Sequence, residues 1–202
     1  TNVRYGNAIQ FWGPTSNCDV ISNYIYQIWD TAITPQFTGS YTETVNYSDM
    51  NIKNNIIEYC STMYEYFLSQ DETDEGCFRN ITVEGNMGRF MGYGWGSQRI
   101  TNNVNYGINA ISGHNNSVNY QIRNNVIDQV YNGHVIDIRV QESTSLPTLT
   151  GNTFIQKRHD SFGYWVVKSQ PNAVSQIIFN DDIALTLAER GIDNSAIIRF
   201  ID

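Results

Sequence analysis

Two carboxylates, Asp30 and Glu65, are the strongest candidates in this sequence for general acid–base chemistry. Asp30 follows Trp29, and Glu65 lies between two tyrosines. When the short apolar segments of the chain are aligned, the two carboxylates fall on neighbouring repeats, a few residues out of register. Two carboxylates held about 5 to 9 Å apart can serve glycoside hydrolysis, one as the acid and the other as base or nucleophile. The alternative interpretation is that both are ordinary solvated side chains.

A second candidate set consists of Lys53, Glu84 and Arg123. Strand alternation predicts that one residue in each repeat points inward and the next points outward. The predicted inward residues are Ile21, Ile52, Val83, Ile122 and Leu149, and the outward ones are Ser22, Lys53, Glu84, Arg123 and Thr150. In-register stacking would place Lys53, Glu84 and Arg123 in one stripe with about 4.8 Å between neighbours. Such a stripe is either chemical machinery or a cross-strand salt-bridge ladder worth a few tenths of a kcal/mol per pair, roughly.

Further polar and aromatic side chains are candidates for binding a ligand. His134, Asp137 and Arg139 lie close together in one apolar segment, with Asp137 and Arg139 on the same face of a strand. Gln36 lies in the same segment as Asp30. Four rings near turns or strand ends can stack on the face of a sugar, namely Trp12, Trp29, Tyr93 and Trp95. The alternative interpretation is an ordinary surface pair for Asp137 and Arg139, and core packing for most rings.

Metal chemistry has weaker support in the sequence. Three widely spaced histidines, without a Cys-x-x-Cys motif, make a zinc site improbable. An acidic stretch could hold Ca²⁺, although a solvated acidic loop is the simpler interpretation. Its residues are Asp71, Glu72, Asp74 and Glu75. We therefore predict no resident cofactor, with Ca²⁺ as the one alternative.

The elements that must position these residues form an internal repeat. Five segments share an aliphatic residue followed by a small residue or Asn and often a second apolar residue, and their leading aliphatics are separated by 31, 31, 39 and 27 residues. The segments begin at Ile21, Ile52, Val83, Ile122 and Leu149. Asn occupies the fourth position in four of them, as Asn55, Asn86, Asn125 and Asn152, while the first has Tyr24 there. Asn at one corner of each repeat predicts a stacked amide ladder, because Asn tolerates left-handed turns and its amide bonds to its neighbours.

This pattern, with a second apolar stretch about ten residues later in each repeat, resembles the right-handed parallel β-helix superfamily of pectin lyases and polygalacturonases. The resemblance covers about residues 3–170. It predicts an all-β solenoid over residues 1–174, forming the C-terminal part of a longer solenoid, with loops inserted at 69–79 and 99–119. Residues 175–202 are expected to form a C-terminal cap made of a short helix at 182–190 and a strand at 196–200.

The resemblance also implies a function. It points to a polysaccharide-degrading or polysaccharide-modifying protein that acts outside the cell or at its surface, either a glycoside hydrolase or a lyase. Lys53 or Arg123 would then be a base or charge neutraliser for an acidic sugar. Gly113-His114-Asn115 lacks the final glycine of the polygalacturonase motif, and the paired aspartates of that family are missing at a matching place, so that activity is not expected. The alternative from another class is a non-catalytic glycan-binding or adhesion solenoid.

Composition excludes several other classes. The formal charge is −8, with 12 Lys+Arg against 20 Asp+Glu. Few and scattered cations argue against nucleic-acid binding, which needs clustered Lys and Arg on phosphates. The abundance of Tyr, Phe, Ile and Val argues against disorder. Without a run of about 18 apolar residues, no membrane span is predicted.

Overall fold

A computed structural model describes residues 6–38, 45–69, 77–94, 105–110, 116–140, 147–168, 177–179 and 193–201. The elements in these ranges are β-strands. In chain order they are β1 (Ile9–Trp12), β2 (Thr15–Ile21), β3 (Tyr24–Tyr26), β4 (Thr31–Thr38), β5 (Asn46–Lys53), β6 (Ile56–Glu58), β7 (Thr62–Glu65), β8 (Phe67–Ser69), β9 (Cys77–Glu84), β10 (Met87–Met91), β11 (Asn105–Ala110), β12 (Asn116–Arg123), β13 (Val126–Val130), β14 (Gly133–Val140), β15 (Thr148–Thr150), β16 (Thr153–Lys157), β17 (His159–Lys168), β18 (Ile177–Phe179) and β19 (Ile197–Ile201).

The strands form three sheets in which neighbours come from successive repeats. The eight-stranded sheet has the order β1-β4-β7-β11-β14-β17-β18, with β8 beside β4. The six-stranded sheet has the order β19-β16-β13-β10-β6-β3, and the five-stranded sheet the order β15-β12-β9-β5-β2. Pairing is parallel apart from β18, which runs antiparallel to β17. The described part of the chain is therefore all-β with three largely parallel sheets, an arrangement compatible with a β-helix solenoid.

The pairing register corrects the alignment of the first repeat. Val20, not Ile21, pairs with Ile52, and Ile21 pairs with Lys53. Val20 is accordingly 6% exposed and Ile21 is 44% exposed. The prediction that Ile21 points inward was wrong by one residue, because two adjacent aliphatic residues leave strand alternation ambiguous. With Val20 as the leading residue, Asn23 takes the fourth position, so all five repeats carry Asn there.

These asparagines form one continuous ladder. The backbone N–H and Nδ2 of Asn55 both donate to Oδ1 of Asn86, at 3.0 and 2.8 Å, and Asn86 donates to Asn125 in the same way. Asn23 and Asn152 extend the ladder at its two ends. The predicted stack of Asn55, Asn86 and Asn125 is therefore confirmed. Each buried amide satisfies backbone and side-chain groups at once, which fixes the register of adjacent repeats.

The left-handed backbone in this corner belongs to the residue before each ladder asparagine. Ser22, Asn54, Gly85, Asn124 and Gly151 all have φ between 55° and 65°. The sequence predicted left-handed geometry for the ladder asparagines themselves. In the structure, the left-handed turn is made by one residue and the ladder hydrogen bonds by the next residue along the chain. Small or Asn residues at the first position accept positive φ, which leaves the buried amides free to bond along the stack.

The core contains packed aromatic rings as well as aliphatic side chains. Tyr47 stacks on Phe78 with ring centroids 5.3 Å apart, and Tyr66 meets the same Phe78 edge-on at 5.2 Å. The buried hydroxyl groups of Tyr64 and Tyr120 share a hydrogen bond. Burial raises the pKa of Tyr64, Tyr66 and Tyr120 above the ordinary value, so these hydroxyls stay neutral.

At the C-terminal end, the carboxylate of Asp193 accepts the hydrogen bonds of the last asparagine of the ladder. The backbone N–H and Nδ2 of Asn152 approach one carboxylate oxygen of Asp193, at 3.4 and 3.2 Å. The predicted final strand is confirmed as β19, which pairs with β16 in parallel. The predicted helix at 182–190 lies outside the described residues, as do most positions of the two predicted loops. The loop prediction for 99–119 was wrong over its described part, because residues 105–110 form β11 and β12 begins at Asn116. The ends of the predicted loop at 69–79 likewise belong to the strands β8 and β9.

Candidate functional site

The Lys53, Glu84 and Arg123 stripe is present on the five-stranded sheet. The three residues share one register position on β5, β9 and β12. Lys53 Nζ lies 3.9 Å from Glu84 Oε2, and Arg123 Nε lies 3.0 Å from Glu84 Oε1. All three are partly exposed, and a pair of this kind contributes at most about 1 kcal/mol. The geometry is that of a salt-bridge ladder, in which the only carboxylate is shared by two cations.

Asp30 and Glu65 are both buried. The backbone N–H of Thr62 donates to the Asp30 carbonyl at 3.2 Å, which places Asp30 several residues away from the register of Glu65. Glu65 accepts hydrogen bonds from Thr31 Oγ1 at 3.2 Å and from Asn109 Nδ2 at 2.7 Å. The predicted offset between the two carboxylates is therefore confirmed, and Glu65 interacts with Thr31, the residue after Asp30.

Glu65 belongs to a buried polar row that the sequence did not reveal. Asn109 pairs with Glu65 on one side and with Asp137 on the other, so the three residues occupy three successive strands of the eight-stranded sheet. All three are buried. Neighbouring strands lie about 4.8 Å apart, so the backbones of Glu65 and Asp137 are separated by about 10 Å. Asn109 was missed because it lies within the loop predicted for 99–119, where the structure has strand β11.

The other predicted binding residues do not form one group. Trp12 is exposed at the end of β1 and meets Phe37 edge-on, whereas Gln36 on β4 is buried and accepts a hydrogen bond from Thr34 Oγ1. His134 is half-buried beside Tyr106. Arg139 lies on β14 in register with Val167, and the structure does not describe its side chain. Trp95 falls outside the described residues.

The predicted calcium loop, Asp71 to Glu75, also lies outside the described residues. Within the described ranges, His, Cys, Asp and Glu side chains form no group of three suited to a metal ion. The same ranges also contain no helix with the length and apolar character needed to cross a membrane.

A contiguous group of rings lies along the six-stranded sheet and its following corner, and we call it the aromatic array. Its members are Tyr24, Tyr26, Tyr59, Phe90, Tyr93 and Tyr131. Consecutive ring centroids are separated by 6.1, 5.6, 5.2, 5.9 and 5.3 Å. Tyr24, Tyr26 and Tyr131 are 63%, 48% and 53% exposed. Four successive repeats thus present a continuous ring surface to solvent.

The array depends on a second left-handed corner. Gln27, Tyr59, Phe90 and Gln129 follow β-strand positions that pair with each other, and each has φ between 55° and 61°. A positive φ is unusual for bulky aromatic residues such as Tyr59 and Phe90. The rings of these two residues stack on each other with an interplanar angle of 29°. Of the six rings, only Tyr93 was predicted from the sequence to bind a ligand.

A row of charged residues crosses the same six-stranded sheet next to the array. Glu58, Arg89 and Asp128 occupy one register position on three successive strands. Glu58 accepts hydrogen bonds from Arg89 Nε at 2.7 Å and from the Tyr24 hydroxyl at 2.8 Å. The hydrogen bond from the Arg89 guanidinium, together with the one from the Tyr24 hydroxyl, lowers the pKa of Glu58. The hydrogen bond between Tyr24 and Glu58 in turn raises the pKa of Tyr24. Glu58 is therefore ionised and engaged at neutral pH.

Comparison of the chain with known protein families, with curated proteins and with solved structures finds no match. Any functional conclusion therefore rests on the geometry of the chain itself.

Proposed function

We propose that this chain is a parallel β-helix that binds a polysaccharide along the aromatic array without cleaving it. The observation that carries the proposal is the continuity of six rings over four repeats, three of them about half exposed or more. Exposed rings offer apolar area at low cost in conformational entropy, and tyrosine adds a hydroxyl that bonds to a polar ligand. A sugar chain, with apolar ring faces and a polar periphery, matches both properties.

The groups beside the array support binding over catalysis. Hydrolysis needs one carboxylate that accepts and another that supplies a proton at the scissile bond. Next to the rings, Glu58 is held ionised by Arg89 and Tyr24, and Gln27 Nε2 donates to the Tyr26 hydroxyl at 3.0 Å. Glu58 in its ion pair is a poor proton donor, and the hydroxyls of Tyr24 and Tyr26 are held in place by Glu58 and Gln27. An extracellular or cell-surface location is consistent with a polysaccharide ligand.

The proposal is tested by affinity electrophoresis of the protein through gels that contain neutral or acidic polysaccharides. We expect at least one polymer to retard the wild-type chain, and Tyr26→Ala to weaken that binding by roughly two- to tenfold, since one aromatic contact contributes about 0.5–1.5 kcal/mol. Val118→Ala removes an exposed apolar side chain of the five-stranded sheet and serves as the matched control. Failure of every polymer to retard the protein, or equal loss in both variants, would refute the proposal.

Hydrolysis is the second candidate function, and the row of Glu65, Asn109 and Asp137 favours it. The two carboxylates lie on strands two apart, and Asn109 donates to Glu65. Inverting glycosidases hold their carboxyl groups about 6.5–9.5 Å apart, which is compatible with this backbone spacing. In this hypothesis Glu65 and Asp137 are the catalytic residues, and a substrate reaches them only after the groups that cover them move aside, because the two residues are 6% and 0% exposed.

The hydrolysis hypothesis predicts release of reducing ends from a polysaccharide, and loss of at least about a hundredfold in turnover on Glu65→Gln. Asp49→Asn, which alters an exposed carboxylate of the five-stranded sheet, is the control. Circular dichroism is used to check that both variants are folded. Absorbance of unsaturated uronate measured in the same reactions distinguishes a lyase. Turnover that survives in folded Glu65→Gln would remove Glu65 from the mechanism.

A further inference from the structure

A cleft of about 510 Å³ opens at the end of the aromatic array, next to Tyr93 and Tyr131. Its other polar lining residues are Gln129, Asn132, Gln156 and Lys157. These residues come from three successive repeats, so the cleft exists only when the repeats stack in register. Its volume lies within the range of about 300–1,000 Å³ that is typical of small-molecule sites.

The wall formed by Gln156 is rigid. Gln156 Oε1 accepts a hydrogen bond from the backbone N–H of Val130 at 2.9 Å, and Gln156 Nε2 donates to the Val130 carbonyl at 2.9 Å. Gln156 is 5% exposed, and these two bonds hold its amide against Val130 of β13. The more exposed side chains that line the cleft are Tyr93, Gln129, Tyr131, Asn132 and Lys157.

Asn105 positions both rings of the cleft. Its Nδ2 donates to the Tyr131 carbonyl at 2.6 Å, and Ser61 Oγ donates to its Oδ1 at 3.1 Å. Gly92, the residue before Tyr93, has φ 78° and approaches Asn105 so closely that a Cβ there would lie 2.3 Å from Asn105 Cγ. Only glycine allows this approach. One buried side chain therefore fixes the carbonyl of Tyr131 and the turn that carries Tyr93.

We propose that this cleft is a subsite for a single hexose-sized sugar unit, distinct from the extended part of the array. Two phenol rings supply apolar walls, and the Gln129 amide and the two phenol hydroxyls both donate and accept hydrogen bonds, as sugar hydroxyls do. Partial burial, with the neighbouring Tyr131 and Asp128, raises the pKa of Tyr93, so its hydroxyl remains a donor at neutral pH. The class of ligand rests on the proposed function, whereas the site rests on the cleft geometry.

Two-dimensional amide NMR of the labelled chain tests the subsite. The probes are glucose, galactose, mannose, N-acetylglucosamine and glucuronic acid, each titrated to tens of millimolar. We expect at least one sugar to shift the amides of Gln129, Tyr131 and Lys157 in a saturable way, while those of Tyr24 and Tyr26 stay unchanged. Tyr131→Ala is expected to abolish the shifts or weaken binding at least fivefold, and the matched surface variant Val118→Ala is expected to leave them intact.

The outcomes separate this inference from the proposed function. If a polysaccharide shifts Tyr24 and Tyr26 but no monosaccharide shifts the cleft, the subsite is overturned and array binding stands. If a monosaccharide saturates the cleft but no polysaccharide binds, the proposal of polysaccharide binding along the array is refuted and the proposal of the subsite is supported. Saturable shifts that survive Tyr131→Ala unchanged in magnitude and midpoint would place the sugar elsewhere and overturn the subsite. Should Tyr131→Ala not fold, Tyr131→Phe, which removes the hydroxyl alone, is expected to weaken binding at least twofold.

Discussion

Asn86→Ala is expected to lower the free energy of unfolding by about 3–5 kcal/mol, because it interrupts the amide ladder at its centre. Asn86 Oδ1 accepts from both the backbone N–H and the Nδ2 of Asn55, and its own Nδ2 donates to the Ile52 carbonyl at 2.8 Å. All of these groups are buried. Alanine leaves two donors of Asn55 and the Ile52 carbonyl without this partner, and it removes one of the two hydrogen bonds to Asn125 Oδ1. Each unsatisfied buried group costs about 1–3 kcal/mol.

Equilibrium unfolding in urea measures this loss, with the slope of the transition checked for constancy. Asn51→Ala is the matched control, because Asn51 on β5 donates to Asp19 Oδ1 on β2 at 2.8 Å in an exposed asparagine hydrogen bond between neighbouring strands. The control is expected to lose less than about 1 kcal/mol. If Asn86→Ala does not fold, Asn23→Ala at the exposed end of the ladder gives an intermediate and measurable loss. Equal losses for Asn86→Ala and Asn51→Ala would show that the ladder does not stabilise the stack.

Much of the architecture could be predicted because each repeat carries the same information locally. An aliphatic residue followed three positions later by Asn sets the inward face and the ladder at once, so Asn55, Asn86 and Asn125 were placed without any long-range knowledge. The error at the first repeat has a physical origin. Val20 and Ile21 are equally suited to the core, and only pairing with Ile52 and Lys53 decides which one is buried.

The site could not be predicted in the same way. The aromatic array joins rings from different positions in their repeats: Tyr24 lies on a strand, Tyr59 lies at a left-handed corner, and Tyr131 lies beyond the corner. No single spacing in the sequence relates such positions when loops of unequal length intervene. Similarly, Glu65 and Asp137 were both selected as candidates, but only the register of β7, β11 and β14 shows that Asn109 lies between them.

Gly133→Ala is expected to be the most disruptive single substitution in the described chain segments near the cleft. A Cβ at Gly133 would lie 1.8 Å from the Asn105 carbonyl oxygen and 2.6 Å from its backbone nitrogen. These are backbone atoms of the paired strand β11, so relief requires separation of β11 and β14. We expect the free energy of unfolding to fall by at least about 3 kcal/mol. The monosaccharide shifts at Tyr131 should vanish too, since Asn105 holds the carbonyl of that residue.

Gly88→Ala is the informative comparison, because its new Cβ meets a side chain and not a backbone. The Cβ would lie 2.4 Å from Met63 Sδ, and methionine can move its flexible end to make room. We expect a smaller loss, about 1–2 kcal/mol, and non-additivity with Met63→Ala, because the double variant removes the clash. Thermal unfolding followed by circular dichroism ranks the variants. A Gly133→Ala protein as stable as Gly88→Ala would mean that β11 and β14 are not paired at Asn105, and the cleft would lose its structural basis.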